Sequence, residues 1–352
     1  MGAGDAAEGA ARPLGIAAVP GLAVGHAHHP TALTGCTVVL TPRGAVCGVD
    51  VRGSAPGTRE TDLLAPHNLV EAVHAVVLSG GSAYGLDAAT GVMGFLEARG
   101  IGLQVGVGVV PIVPGAVLFD LAVGDARIRP DARAGRLAAS VAWRAWSAGD
   151  HGDDAGEAPP GWCVAGADAE GNVGAGCGAT VGKLAGPAHA VKSGLGTAAR
   201  RLPDGTVVGA LVAVNAVGEV VNPATGRVIA GARRPDGGYE DSLDLLIRRV
   251  HTVTAGTNTT IAVVAANTSL TKAQANKVAQ MAHDGLARSI RPVHTMYDGD
   301  TVFALATGGR PVPVDVIGAV AAEVLAEAVV RAVLAATPAG GLPACSTHGL
   351  EG

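Results

Sequence analysis

A threonine hydroxyl that follows a strained peptide bond can attack the carbonyl in front of it, and the segment His251-Thr-Val-Thr-Ala-Gly-Thr-Asn258-Thr259-Thr260 places such a hydroxyl just ahead of the apolar run Ile261 to Ala265. The acyl group would shift from nitrogen to oxygen, and water would cleave the ester to release a new N-terminus at Thr259. The freed residue would hold both halves of a catalytic pair. Its hydroxyl is a nucleophile, and its α-amine, with an ordinary pKa of about 7.7 to 8.0, is a base. On pattern alone the same residues read as a threonine-rich turn entering a strand.

Two further groups carry potential chemistry. The glycine-rich run Gly171 to Lys183 invites a phosphate-loop reading, but Cys177 stands where the first glycine belongs and Leu184 follows the lysine, so that signature fails. What survives is Lys183 in an uncharged setting, in a chain whose other lysines are Lys192, Lys272 and Lys277. A desolvated lysine loses its proton near neutrality; an exposed loop lysine is the plainer alternative. Downstream, His294-Thr-Met-Tyr-Asp298-Gly-Asp300-Thr301 sets two carboxylates astride a glycine, on one face if the segment is extended. Paired acids can bind calcium, share a proton or orient a cationic amine, and calcium is the weakest of these readings because the further acids of an EF-hand loop are missing. Taken alone, Asp-Gly-Asp before an apolar run is also a common solvated turn.

Short, mostly β-branched apolar runs must position these groups. Strands are predicted at Cys36 to Leu40, Val46 to Val51, Ala75 to Leu78, Val207 to Val214, Ile261 to Ala265 and Val302 to Ala306. Helices are predicted at Tyr84 to Arg99, at Thr271 to Ile290 behind a Thr271–Gln274 capping box, and at Val314 to Thr337. Glu323, Glu327 and Arg331 recur every four residues in the last of these, which makes it a packed amphipathic helix rather than a membrane span. Strands apolar on both faces, mixed with a few well-formed helices, favour sheets covered by helices in a layered α/β or α+β domain.

With 352 residues, 48% hydrophobic and 16% charged, the chain can bury a sizeable core. No clean domain boundary appears, although Gly149 to Pro160 reads as an exposed acidic loop or insertion. A formal charge of −5 without a basic stripe argues against nucleic acid as a partner. The first residues carry no targeting pattern, so a cytoplasmic location is expected, with no membrane association. Five cysteines without CxxC spacing indicate neither a disulfide framework nor a zinc site. His26, His28 and His29 cluster, but with no further ligand pattern they read as a solvated loop, and no metal or other cofactor is implied.

The stretches LSGGSAYGLDAATGVMGFLE, NTTIAVVA and HDGLARSIRPVHTMYDGDTVFALATG resemble the self-processing aminopeptidases, a group that includes D-aminopeptidase/esterases, β-peptidyl aminopeptidases and nylon-oligomer hydrolases. The resemblance runs from about residue 15 to residue 335. It implies an α/β layered sandwich with two central sheets flanked by helices, a fold shared with ornithine acetyltransferases. It also implies one self-processing domain over 1–352 that splits into chains 1–258 and 259–352. Closest in pattern are the nylon-oligomer hydrolases, whose threonine nucleophile after asparagine falls on Thr259 after Asn258. By the same resemblance Lys183, Asn215, Asp298 and Asp300 match active-site residues, Tyr84 matches a family tyrosine that either lines the pocket or packs at a helix start, and Phe119 stands where the family has another tyrosine. Asn215, backbone N–H groups or Tyr84 would then supply oxyanion donors. The implied activity is hydrolysis of small peptides or amides by a homo-oligomer such as a tetramer. The alternatives are an acyltransferase of the ornithine acetyltransferase type and an unprocessed, noncatalytic binding protein.

Overall fold

Eight consecutive buried residues, Thr259–Ala266, form a strand that needs apolar neighbours on both faces, and the architecture supplies them. The computed structural model describes residues 13–147, 158–249 and 257–345; most of the acidic insertion (149–157), residues 251–256 and both ends (1–12 and 346–352) lie outside the described residues. One hydrogen-bonded array, divided into two sheets at β2, contains β1 (Ala23–His29), β2 (Thr34–Val51), β3 (Thr58–Arg59), β4 (Val73–Ser79), β5 (Gly115–Val117), β6 (Cys163–Gly166), β7 (Leu195–Arg201), β8 (Val207–Asn215), β9 (Thr259–Ala266) and β10 (Thr301–Ala306). Their order is β7-β8-β9-β10-β2-β4-β5-β3, with β1 on β2 and β6 on β1. The β9–β10 and β4–β5 pairs are parallel and the other pairs antiparallel.

Strand β2 belongs to two sheets. Its first half pairs with β1 and β4, its second half pairs with β10, and a register shift between Leu40 and Ala45 separates them. The two runs predicted at 36–40 and 46–51 are thus one continuous strand. Alternation then sorts the side chains into layers. Val39, Val76 and Leu78 of one sheet share a core with Leu211, Ala213, Ile261, Val263 and Phe303 of the other, so the sheets face each other there. The opposite residues of the first sheet, Val38, Leu40, Ala75 and Val77, pack on α1 (Ala88–Glu97) and α2 (Ala132–Trp146). Those of the second, Ala210, Val212, Ala262 and Val264, pack with α4 (Lys272–Ser289) and α5 (Val314–Leu334), while a short α3 (Ser242–Arg249) joins a smaller apolar cluster with Leu184 and Val217. The result is an α/β sandwich in the layer order helix, sheet, sheet, helix.

Glycine richness and aromatic poverty follow from how closely these layers approach. A Cβ at Gly25 of β1 would stand 2.3 Å from the Ala138 carbonyl oxygen of α2, and one at Gly196 of β7 would stand 2.1 Å from that of Ala328 in α5. Helix backbone therefore rests directly on strand backbone, where no larger side chain fits. Helix α4 starts as expected, with the Thr271 hydroxyl accepting from the Gln274 N–H and the Gln274 side chain accepting from the Thr271 N–H. No helix of the described residues is long and apolar enough to cross a membrane.

Two expectations require correction. The helix predicted from Tyr84 begins as a 3-10 turn, Ser82–Asp87, and becomes α-helical only at Ala88, because Gly85 lies so close beneath the Gly80 carbonyl that the chain is wound tightly there. His26, His28 and His29 are not a solvated loop. They lie on β1, which is paired on both edges, and His26 and His28 are buried. His26 shares a 2.9 Å hydrogen bond with the Thr37 hydroxyl, and burial lowers its pKa to about 3, holding the ring neutral.

Candidate active site

Strand β8 ends at Asn215 and β9 begins at Thr259, and register makes these two residues direct cross-strand partners. Both share parity with the inter-sheet residues Ala213 and Ile261, so their side chains belong to the face between the sheets, at its end. Thr259 is buried, with its hydroxyl against the carbonyl oxygen of Asn258. The same oxygen accepts a 3.0 Å hydrogen bond from the Gly299 N–H. A Cβ at 299 would stand 2.6 Å from the Ala55 carbonyl oxygen and 2.8 Å from the Thr259 hydroxyl, so any larger residue must displace its neighbours.

Lys183 reaches this point from the glycine-rich run. Its backbone N–H donates to the Val217 carbonyl, which lays the run beside the chain leaving β8. The ammonium then lies 2.9 Å from the Asn215 carbonyl oxygen, 2.8 Å from Asn215 Oδ1 and 3.4 Å from the Thr257 carbonyl oxygen. Because Oδ1 also accepts from the Thr180 N–H at 3.1 Å, the Asn215 amide is oriented with Nδ2 toward the carbonyls of Phe119 (3.0 Å) and Thr257 (3.4 Å). Burial lowers the Lys183 pKa to about 7; the charge of Asp298 opposes that fall and the charge of Lys192 adds to it.

The acidic pair ties the start of β9 to the loop before β10. Asp300 accepts from the Thr260 N–H at 2.7 Å with one oxygen, and with the other from the His294 N–H at 3.1 Å and the His294 ring at 2.9 Å. Asp298 accepts from the N–H and hydroxyl of Thr295 at 2.8 and 2.6 Å, and its backbone forms a bridge with Asn258. Burial, followed by the charge of Asp300, pushes Asp298 up to about 6, against the Thr295 hydrogen bonds and the Lys183 charge. Among the described residues no group of three or more His, Cys, Asp or Glu is placed to hold a metal ion.

A cavity of about 660 Å³ opens beside this cluster, lined by Lys183, Thr257 and Asn258 together with apolar residues such as Phe119, Leu184 and Leu342. The structure therefore brings together Thr259, Asn258, Lys183, Asn215, Asp298 and Asp300. It does not bring Tyr84 to them: that ring is 61% exposed, lies under the Arg129 guanidinium and does not line the cavity. Sequence reading assigned no role to His294 or Gly299. His294 carried a signal, since it stands six residues ahead of Asp300, but a backbone N–H donor such as that of Gly299 leaves no side-chain signature.

Two sheets packed face to face between helix layers are the architecture of the N-terminal-nucleophile hydrolase fold. The chain superposes on the L-aminopeptidase D-Ala-esterase/amidase from Ochrobactrum anthropi, described as a variant of that fold, with a TM-score of 0.68 at 19% identity over 96% of this chain and 92% of that one. A Burkholderia β-aminopeptidase gives 0.62 at 22% identity over 97% and 93%. Residues 15–344 match peptidase family S58, and the chain belongs to that family. It is 45% identical to an uncharacterized aminopeptidase of Mycobacterium leprae over 93% of this chain and 92% of the relative. It is 31% identical to a 6-aminohexanoate-oligomer endohydrolase of Agromyces over 89% and 84%. The protein is accordingly a hydrolase of amide bonds.

Proposed function

We propose that Thr259 is the nucleophile, that it is uncovered by autocleavage of the Asn258–Thr259 bond to give chains 1–258 and 259–352, and that the mature protein hydrolyses small peptides or amides as an aminopeptidase or amidase. The observation that carries this reading is the contact of the Thr259 hydroxyl with the Asn258 carbonyl, whose oxygen is already held by the Gly299 N–H. In processing, the Thr259 oxygen bonds to the Asn258 carbonyl carbon, the carbon–nitrogen bond breaks, and the proton passes to the released amine. Water then adds to the ester, leaving a carboxylic acid at Asn258 and a free hydroxyl on Thr259. Turnover repeats the sequence on a substrate amide, with the new α-amine as base.

In this scheme the Gly299 N–H is one of the backbone donors expected to support the oxyanion beside Asn215. Asn215 also holds Lys183 through Oδ1 and the approaching chain through Nδ2. Asp300 anchors the start of β9 through the Thr260 N–H, and Asp298 offsets the charge of Lys183. The test is the intact mass of the purified protein beside Thr259→Ala. Two fragments meeting at the 258/259 junction, absent from the variant, are expected. One uncut, inactive chain in both would remove the mechanism.

A further inference from the structure

A second buried lysine has no part in the scheme above. Lys192 is fully buried, and its ammonium donates to the carbonyls of Gly176, Ala179 and Ser193 at 3.4, 2.8 and 2.5 Å. Taking an ammonium out of water is costly, and an apolar side chain of similar length would fill the space without that penalty. The loop it enters explains the need for a donor. Residues 174–182 carry glycine at 174, 176, 178 and 182. A Cβ would stand 2.1 Å from the Leu195 nitrogen at Gly176 and 2.0 Å from the Leu33 carbonyl oxygen at Gly178. At these positions the loop has no side chain of its own to fix its peptide planes, so a donor must reach in from outside.

One of the three carbonyls leads to the site. Ala179 and Thr180 share a planar trans peptide, whose C=O and N–H point in opposite directions. Its oxygen accepts from the Lys192 ammonium and from the Ser193 N–H at 3.0 Å, while its N–H donates to Asn215 Oδ1 at 3.1 Å. The same Oδ1 accepts from the Lys183 ammonium at 2.8 Å, and Asn215 Nδ2 reaches the Thr257 carbonyl at 3.4 Å. Rotation of this one peptide about its flanking bonds would withdraw the N–H from Oδ1, and Asn215 would then shift and take Lys183 with it. Lys192 resists that rotation from the opposite edge of the peptide.

We propose that Lys192 is a positioning residue: its hydrogen bond to the Ala179–Thr180 peptide fixes Asn215, and through Asn215 it fixes Lys183 beside the segment that is cut. The proposal rests on Thr259 as the nucleophile. Its test is a double-mutant cycle read as the rate of autocleavage, by intact mass against time after synthesis. Lys192→Met keeps most of the side chain's length and removes its donors. In the otherwise wild-type chain it should slow cleavage by about tenfold or more, because a small misplacement near the reacting atoms is costly in rate; in an Asn215→Ala background, where the link is already broken, it should cost less than about twofold. A loss of stability alone would act alike in both backgrounds, and thermal unfolding of the same proteins measures it. Lys192→Gln, one bond shorter with two N–H donors and no charge, should fall between Lys192→Met and wild type, and it takes the place of Lys192→Met in the cycle if that variant does not fold. An equal slowing in both backgrounds, or no slowing by Lys192→Met, overturns the positioning role. A wild-type chain that stays as uncut as Thr259→Ala refutes the nucleophile and this role with it, while a wild type that is cut, with cleavage indifferent to Lys192→Met, refutes this role alone.

Discussion

Replacing Gly299 by alanine adds one methyl group at the point where the fold leaves no space for it. The new carbon would stand 2.8 Å from the Thr259 hydroxyl and 2.6 Å from the Ala55 carbonyl, against about 3.4 Å for ordinary contact. Either the hydroxyl withdraws by roughly 0.6 Å, the difference between 3.4 and 2.8, or the Gly299 N–H lifts from the Asn258 carbonyl. Misplacing a reacting group by about 1 Å can cost on the order of 100-fold, and losing one oxyanion donor costs about 100- to 1,000-fold. Autocleavage of Gly299→Ala should thus slow by about 100-fold, equivalent to about 2.7 kcal/mol of barrier. The Gly299 backbone is not left-handed, so alanine adds only overpacking, worth about 1–3 kcal/mol of stability, and the variant should fold. The assay is intact mass against time after synthesis, with thermal unfolding as control. Thr259→Ser in the same background should recover part of the rate, because a serine hydroxyl turns more freely than one on a β-branched residue. A folded Gly299→Ala protein that cleaves at the wild-type rate would refute the donor geometry.

With Asp298 pushed up to about 6, its carboxylate is lost as pH falls through that value, so processing and hydrolysis should both decline below about pH 6. Asp298→Asn should flatten this limb in a pH–rate profile at a lower plateau. Stability runs the other way, since a folded pKa above the ordinary 3.8 favours the protonated form: this group's contribution is complete below 3.8 and is lost as pH rises through about 6. His294→Ala removes the ring that holds Asp300, and kcat should fall by about tenfold with KM nearly unchanged, with partial recovery in His294→Asn, whose amide can donate to the same oxygen.

What was legible in the sequence was set by how local its cause was. The β-branched runs at 75–78, 207–214, 261–265 and 302–306 are strands because each is buried on both faces, and the capping box at Thr271 fixes the start of α4 within the residue. The long strand β2 was split in two because Thr41 to Gly44 reads as a turn, yet each half pairs with a different sheet and the bulge carries the chain between them. Helix α2, with its Asp131 cap, and the histidine-bearing strand β1 went unread. The first buries mostly alanine and glycine, which give little apolar signal, and the second is buried by long-range pairing that no local window contains. At the site, the resemblance collected the side chains that the fold places together. Missing was the Gly299 amide, whose effect depends on approach distances between remote segments.

Lys183 and Lys192 are both withdrawn from water, and their surroundings give them different parts. Lys192 is surrounded by the carbonyls of Gly176, Ala179 and Ser193 at 3.4, 2.8 and 2.5 Å, so its charge is spent within its own loop and reaches the site only by depressing Lys183. Lys183 has Asn215 as a permanent partner and Thr257 as a more distant one, and Asn215 Nδ2 reaches the same Thr257 carbonyl, each at 3.4 Å. In the uncut chain, therefore, the residues ahead of Thr259 occupy the donors that an incoming acyl group would use. On the proposed mechanism, scission of one bond both frees the nucleophile and releases the segment standing on the acyl side. Autocleavage then acts as the opening of the site as well as its activation, and an uncut Thr259→Ala chain should bind substrate analogues more weakly than the processed enzyme, to the extent that Thr257 keeps its place.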